Sequence, residues 1–207
     1  MRLHLTDVHA ISCGIDAHHY TPTFNPEGEN KVVFVGRVTG EKKIDVLIRA
    51  MKLLPPELKA SLEIVGGGDL LNHHKSLVHQ LGLDKSVKFT GYVTDQQLKD
   101  ALTSAKVFAM PSIAELQSIA TMEAMASGRP VVAADAMALP HLVHDGDNGY
   151  LFPPNDVEAF ADRLLRILTA DKKELARFSE NSLYLIQSHD IERTLSIFEG
   201  LYRGDKD

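Results

Sequence analysis

From Lys31 onward, short apolar runs alternate with segments whose apolar residues recur at helical spacing. "KVVFVGRV" is almost continuously apolar, the pattern of a strand covered on both faces. Beyond it Ile44, Leu47, Ile48 and Met51 fall on one side of a helix. "SLEIVG" predicts a second strand, a helix follows over about 69–81, and "VKFTG" predicts a third strand. Thr94 and Gln97 stand in a capping-box arrangement ahead of a helix marked by Leu98, Ala101, Leu102 and Ala105. "KVFAMPS", "PVVAAD" and "GYLF" predict strands four to six. Between the fourth and fifth, Ser118 is the expected N-cap of a helix whose buried face holds Ile119, Met122 and Ala126. Asn155 in "NDVE" is the expected N-cap of a helix carrying Phe160, Leu164 and Leu168. Helices over about 172–188 and 191–202 close the chain, with Phe178, Tyr184, Phe198 and Tyr202 as packing residues. Residues 1–30, which contain Pro22 and Pro26, show neither period and read as a linker or edge segment.

Strands alternating with helices predict an α/β fold, a Rossmann-like three-layer arrangement around a parallel sheet of about six strands. Ligands of such sheets bind beyond the carboxyl ends of the strands. The loops that matter are therefore 36–43, 66–69, 91–94, 112–118 and 135–139.

Composition narrows the partners. The 207 residues suffice for one sizeable core, and 44 % hydrophobic with 24 % charged residues is a soluble globular balance. A net charge of -6 argues against a general nucleic-acid surface. The single Cys13 allows no internal disulfide and fits a reducing compartment. No apolar run approaches the roughly 20 residues of a membrane-spanning helix, and "MRLHLTDVHA" has no signal-peptide apolar region. The expected location is the cytoplasm, with membrane contact at most peripheral.

Candidate chemistry concentrates in "PSIAELQSIATMEAMASGRPVVA". Glu115 and Glu123, seven residues apart, interrupt otherwise small and apolar sequence. Glu115 falls in the loop at the carboxyl edge, and Glu123 about a turn and a half into the following helix. That helix start offers free N–H groups suited to a phosphate. Around a phosphate, one carboxylate can accept from sugar hydroxyls and the other from ribose hydroxyls, since a vicinal diol matches two carboxylate oxygens. The plainer alternative is a pair of surface or capping acids, against which stands the apolar setting. In "GRVTGEKK", Gly36 allows close backbone approach, and Arg37 with Lys42 or Lys43 can converge on a diphosphate. Gly66 and Gly67 of "GGGD" most simply turn the chain, and also admit a flat nucleobase. The loop lacks both the dinucleotide glycine pattern and a phosphate-loop lysine. Two acids invite a hydrolase reading, but no other acid is so placed. Of the ten histidines, His18–His19 and His73–His74 are adjacent and diverge on regular elements, while His141 and His144 can share a helix face. None stands in a metal-site pattern, and no metal or cofactor is expected.

Taken together, "GRVTGEKKIDVLIRAM", "LEIVGGGDL", "VKFTGYVTDQQL", "VFAMPSIAELQSIATMEAMASGRPVVA" and "HDGDNGYLFPPND" resemble family 4 retaining glycosyltransferases in order and spacing, over about residues 11–202. That family has a GT-B architecture of two Rossmann-like domains. "AISCGIDAHHYTP" resembles its interdomain connection, with Cys13 where Asn is usual. The resemblance implies the C-terminal, donor-binding half of a GT-B enzyme: residues 1–30 as connection, 31–189 as nucleotide-sugar-binding domain, and 190–207 as a helix packing back toward an N-terminal acceptor domain. It implies that Arg37 and Lys42 hold the diphosphate and Glu115 the donor sugar, these three acting in catalysis. Glu123 holds the ribose, and the backbone of Leu116, Gln117, Ser118 and Ile119 faces the sugar and phosphates. Gly36, Gly66 and Gly67 lie where the nucleotide approaches closely, with Tyr92 and Val93 beside the base. Lys43 stands where the family usually has Gly, so Lys42 and Lys43 compete for the phosphate role. His141 stands where many members have Glu, and its ordinary reading is a partly buried packing residue. "ELQSIATMEAMASG" with "ALPHLVHDGDNGYLF" resembles members that glycosylate diacylglycerol, implying UDP-glucose as donor and a membrane lipid as acceptor. Alternatives are a free-standing nucleotide-sugar-binding module without chemistry, and an epimerase or phosphorylase half. A phosphorylase needs a pyridoxal phosphate lysine in matching context, and an epimerase needs acids and a histidine at other positions.

Overall fold

The structure is a computed structural model that describes residues 11–22 and 29–204. Six strands follow one another as β1 (Lys31–Val35), β2 (Ser61–Val65), β3 (Val87–Gly91), β4 (Val107–Met110), β5 (Val131–Ala134) and β6 (Gly149–Phe152). All pair in parallel in the order β3-β2-β1-β4-β5-β6. The central β4 and β5 are buried at every position, whereas β3 and β6 at the edges are partly open. This matches the sequence: "VFAM" and "VVAA" are wholly apolar, while "VKFTG" and "GYLF" carry polar or glycine positions.

Among the described residues five α-helices connect the strands, α1 (Ile44–Leu53), α2 (Leu71–Gln80), α3 (Asp95–Ser104), α4 (Ile119–Ala126) and α5 (Leu139–Leu142), and three follow β6: α6 (Val157–Thr169), α7 (Lys172–Ile186) and α8 (Ile191–Arg203). The chain steps outward from β1 to β3, returns to β4 beside β1, then steps outward the other way. Right-handed crossovers place α1 and α2 on one face and α4 on the other. Accordingly α1 packs against α2 and α6, and α4 against α7. The core fills with Phe34, Phe108, Phe152, Phe160 and Phe178, all buried, and Phe152 stacks on Phe160 at 4.0 Å between ring centroids. The reversal between β1 and β4 is the switch point at which such sheets open a crevice at their carboxyl edge.

Several local expectations are corrected. Asp156, not Asn155, caps α6: its carboxylate accepts from the Ala159 N–H at 2.9 Å, and Asn155 takes φ 65°. Ile119 is 51 % exposed, because the first turn of α4 projects past the sheet edge, and Thr121, Met122, Met125 and Ala126 form the buried side. α7 stops at Ile186 and gives way to a tighter turn over Gln187–His189. Phe178 packs as expected, but Tyr184, Phe198 and Tyr202 are exposed, since among the described residues α8 buries only Thr194. His141 is exposed rather than packed, and His144 lies beyond the end of α5, so the two share no helix.

The described part of residues 1–30 is docked rather than loose. Ile15 pairs with Asp190, its N–H donating to the His189 carbonyl and its carbonyl accepting from Ile191. A tight turn over Ala17–His19, capped by the Asp16 side chain, follows. Residues 1–10, 23–28 and 205–207, and with them Pro26 and much of the expected connection, lie outside the described residues.

Candidate functional site

The switch point brings the loops after β1 and β4 together. The Ile113 N–H and Ser112 hydroxyl both donate to the Glu41 carbonyl, at 3.1 and 3.3 Å. From the next loop, the Ala138 N–H donates to the Glu115 carbonyl at 3.1 Å. Glu115, only 7 % exposed, is thus anchored through its backbone at the carboxyl edge. Its Oε1 is paired with Lys42 Nζ. An ionised carboxylate this dry needs a partner, and Lys42 supplies both charge and a donor. The structure therefore joins two predicted site residues that lie 73 positions apart in sequence.

Lys42 and Lys43 stand in different geometries. Lys43 adopts left-handed backbone (φ 50°, ψ 38°) as the N-cap of α1 and makes no side-chain cap. A glycine adopts that conformation without strain, and it is Lys42 whose Nζ meets Glu115. Arg37 is apart from this pair: its side chain is exposed and lies 3.5 Å from Glu41. Glu41, unanticipated from the sequence, is held below the ordinary carboxylate range chiefly by the Thr39 hydroxyl, then by its own backbone, Arg37 and Lys42.

Ser118 occupies the N-cap position of α4 but does not cap with its side chain. Its backbone is left-handed (φ 49°, ψ 68°), and its hydroxyl pairs with that of Thr121 at 2.8 Å. The Thr121 and Met122 N–H groups bond the Ser118 carbonyl. The N–H groups of Ile119 and Ala120 ahead of them have no carbonyl one turn earlier in the helix to bond and face the edge. Leu116 is exposed on the rim, and Gln117 turns back to accept the Cys13 N–H at 2.6 Å.

Glu123 is half-buried one and a half turns into α4, where its Oε1 accepts the Tyr20 hydroxyl at 2.7 Å. Burial raises its pKa, and Asp95 adds to the rise, while the bond from Tyr20 and the nearby His19 oppose it. The Tyr20 phenol is pushed far up, first by its own burial and then by Glu123. Tyr20 was missed because a lone tyrosine in a segment without period carries no signal; only the fold places it against the acid.

The glycine loop is built for close approach of its own backbone. A Cβ on Gly66, at φ 125°, would stand 2.0 Å from the Gly36 carbonyl oxygen, and one on Gly67 would strike the Tyr92 ring at 2.9 Å. The Val38 N–H bonds the Gly67 carbonyl at 2.9 Å, locking this loop to the one after β1. Tyr92 is 86 % exposed, with Val93 partly covered beside it. A cavity of about 580 Å³ between β3 and α3 reaches Tyr92 and Val93 and is floored by Glu63 between Lys31 and Lys88. It does not include Glu115, Lys42 or Glu123. Leu116 and Gln117 line a second, mainly apolar one of about 400 Å³ with His141 and His189. The charged pair itself belongs to neither of these cavities.

Six parallel strands with helices on both faces, and a charged rim at the switch point, define one Rossmann-like half of a GT-B fold. Residues 21–183 match the family described as glycosyl transferases group 1, and the chain belongs to that family. It is 36 % identical to an uncharacterized glycosyltransferase of Methanocaldococcus jannaschii, over 69 % of this chain and 37 % of that protein. It is 33 % identical to a D-inositol 3-phosphate glycosyltransferase of Corynebacterium aurimucosum, over 80 % of this chain and 44 % of that protein. Among solved structures, Anabaena HepE in complex with UDP-glucose superposes with a TM-score of 0.83 at 25 % identity, over 93 % of this chain and 57 % of that one. The chain spans less than half the length of these two curated relatives.

Proposed function

We propose that this chain is the donor-binding, C-terminal half of a retaining family 4 glycosyltransferase that transfers a hexose from UDP-glucose to an acceptor. The observation that carries the reading is the Lys42–Glu115 pair at the β1/β4 switch point, beside the α4 helix start that leads to Glu123. A diphosphate seated there competes for Lys42 and is met by the N–H groups of Leu116 to Ile119. Arg37 closes on it from the rim and offsets the charge that develops on the leaving group. Glu115 then accepts from the sugar hydroxyls and Glu123 from the ribose, while Gly36, Gly66 and Gly67 leave room for the nucleotide and Tyr92 and Val93 flank the base. Retention follows front-face attack: the acceptor oxygen bonds to the anomeric carbon, the bond to the diphosphate breaks, and the departing phosphate oxygen takes the acceptor proton. A uridine nucleotide is supported by the likeness to HepE, whose structure holds UDP-glucose.

The exposed apolar side of α8 supports a cleft whose second wall is an N-terminal acceptor domain, with residues 1–30 as connection, 31–189 as donor domain and 190–207 as the helix returning to that wall. A lipid acceptor is supported by the resemblance of the acid segment and "ALPHLVHDGDNGYLF" to diacylglycerol-glycosylating members. No helix among the described residues is long and apolar enough to cross a membrane. The reading places the enzyme in the cytoplasm, touching the membrane peripherally to reach such an acceptor.

Calorimetric titration with UDP, UDP-glucose, GDP and GDP-mannose tests the donor reading. Binding of the two uridine nucleotides in preference to the guanosine pair is expected. Preference for guanosine overturns the donor assignment, and no binding by any of the four overturns the role as a donor-binding unit.

A further inference from the structure

Tyr20 and Glu123 are 103 positions apart, yet the phenol donates to Glu123 Oε1 at 2.7 Å from a site only 8 % exposed. We propose that Tyr20 is a positioning residue for the nucleotide: its hydroxyl fixes one oxygen of Glu123 so that the other is presented to the ribose diol. This rests on the reading of Glu123 as the ribose acid.

Three features make Tyr20 a fixed point rather than a passing contact. It ends the tight turn over Ala17–His19, whose start is capped by the Asp16 carboxylate. The same turn is tied to the first residue of α3, because His19 Nε2 lies 3.1 Å from both Asp95 oxygens, and Lys99 holds Asp95 from the other side at 3.0 Å. Upstream, Ile15 is paired through its backbone with the segment that opens α8. The hydroxyl is therefore placed by α3, α8 and the turn together.

A glutamate on a helix surface has three torsions, and without a partner its carboxylate orientation is lost to rotation and must be recovered on binding. Tyr20 has one proton to give, and a carboxylate offers about four acceptor positions on two oxygens. Donation to Oε1 thus fixes the group while leaving Oε2 able to accept. Among the described residues no hydrogen bond is made to Oε2. A purely structural role, in which the bond only holds the connection onto the domain, makes a different prediction. It alters stability, whereas positioning alters discrimination between nucleotides with and without ribose hydroxyls.

The test is the ratio of dissociation constants for 2′-deoxy-UDP and UDP, and for 3′-deoxy-UDP and UDP, in four proteins: the native chain, Tyr20→Phe, Glu123→Gln and the double variant. The native chain should prefer UDP by about ten-fold or more. Tyr20→Phe, which keeps the ring, should narrow that preference to a few-fold. On the Glu123→Gln background it should change the ratio no further, as expected when one residue acts through another. The ratio is insensitive to partial loss of fold, because both nucleotides draw on the same folded fraction. Full preference retained in Tyr20→Phe but lost in Glu123→Gln overturns the positioning role and leaves the ribose assignment standing. Equal binding of all three nucleotides by the native chain, or no UDP binding, overturns the ribose assignment and the inference with it.

Discussion

At the residue scale, Glu115 and Glu123 differ in how the fold compensates them. Glu115 is paired with a lysine, whereas Glu123 accepts a hydrogen bond from a phenol and feels His19 at a distance. Burial is the leading influence on Glu123 and raises its pKa above that of the unfolded chain. A carboxyl raised on folding contributes stability that is fully present below the unfolded value and is lost as pH climbs through the folded one. At neutral pH the ionised Glu123 therefore weakens the unliganded fold, and Asp95 strengthens the effect while His19 and Tyr20 relieve it. Glu123→Gln keeps an acceptor for Tyr20 without the charge. It should raise the melting midpoint at pH 8 by about 2 °C, with the gain shrinking as pH falls toward 5. A variant that melts below the native chain at pH 8 would show that the charge is better compensated than burial implies. Sequence legibility divides along the same line. Both glutamates stood out because carboxylates are rare in apolar runs, but their partners did not. Lys42 was one of two adjacent lysines, separable only by the left-handed backbone at Lys43, and Tyr20 had no local pattern at all.

At the element scale, strands and most helices were legible because burial on both faces writes continuous apolar runs, and helices on one face write a period. What escaped was set by neighbours distant in sequence. The apolar face of α4 was misread at Ile119 because its first turn overhangs the sheet. Arg129 was read only as part of the "GRPVVA" motif, yet it is 3 % exposed and builds the corner before β5. Its guanidinium donates to the carbonyls of Ser127 at 3.0 Å, Ala105 at 2.7 Å and Thr103 at 3.3 Å, and its own carbonyl accepts from the Ser182 hydroxyl at 2.9 Å. Burial pushes its pKa down to about 10, which leaves it charged at neutral pH. One side chain thus joins the last turn and C-cap of α3 to the C-cap of α4, the helix that carries Glu123. Arg129→Met matches its length but removes the donors from buried carbonyls, at a cost of about 2–4 kcal/mol. A fall in melting midpoint of roughly 5–12 °C is expected for a chain of this size. Thermal unfolding followed by circular dichroism checks it, and a midpoint within about 1 °C of the native one would mean the carbonyls find other donors.

At the scale of the whole molecule, the proposed second domain would meet this chain at two places. The Lys42–Glu115 pair, whose side chains are 15 % and 9 % exposed, lies at the carboxyl edge of the sheet. α8 meets the body through Thr194, against Gly14, while Leu195, Ile197, Phe198, Leu201 and Tyr202 remain exposed. An amphipathic helix whose apolar side is uncovered ordinarily marks a contact surface. A second domain seated on α8 and facing the rim would cover both at once. It would exclude water from the diphosphate, strengthen the hold of Arg37 and Lys42 on the developing charge, and bring the acceptor to the anomeric carbon. On the proposed reading this chain supplies the donor contacts, and a second domain would supply the acceptor contacts and the dry cleft. Binding and turnover should therefore separate. The 207-residue chain is expected to bind UDP-glucose and to transfer no glucose, measured as radiolabelled product with diacylglycerol vesicles or a soluble acceptor. Supplying an acceptor domain from a full-length relative, joined ahead of Ile11, should restore transfer, and Phe198→Asp in that fusion should reduce it while leaving UDP affinity unchanged. Transfer by the chain alone would mean that the rim is complete without a second wall, and the uncovered side of α8 would then need a different occupant.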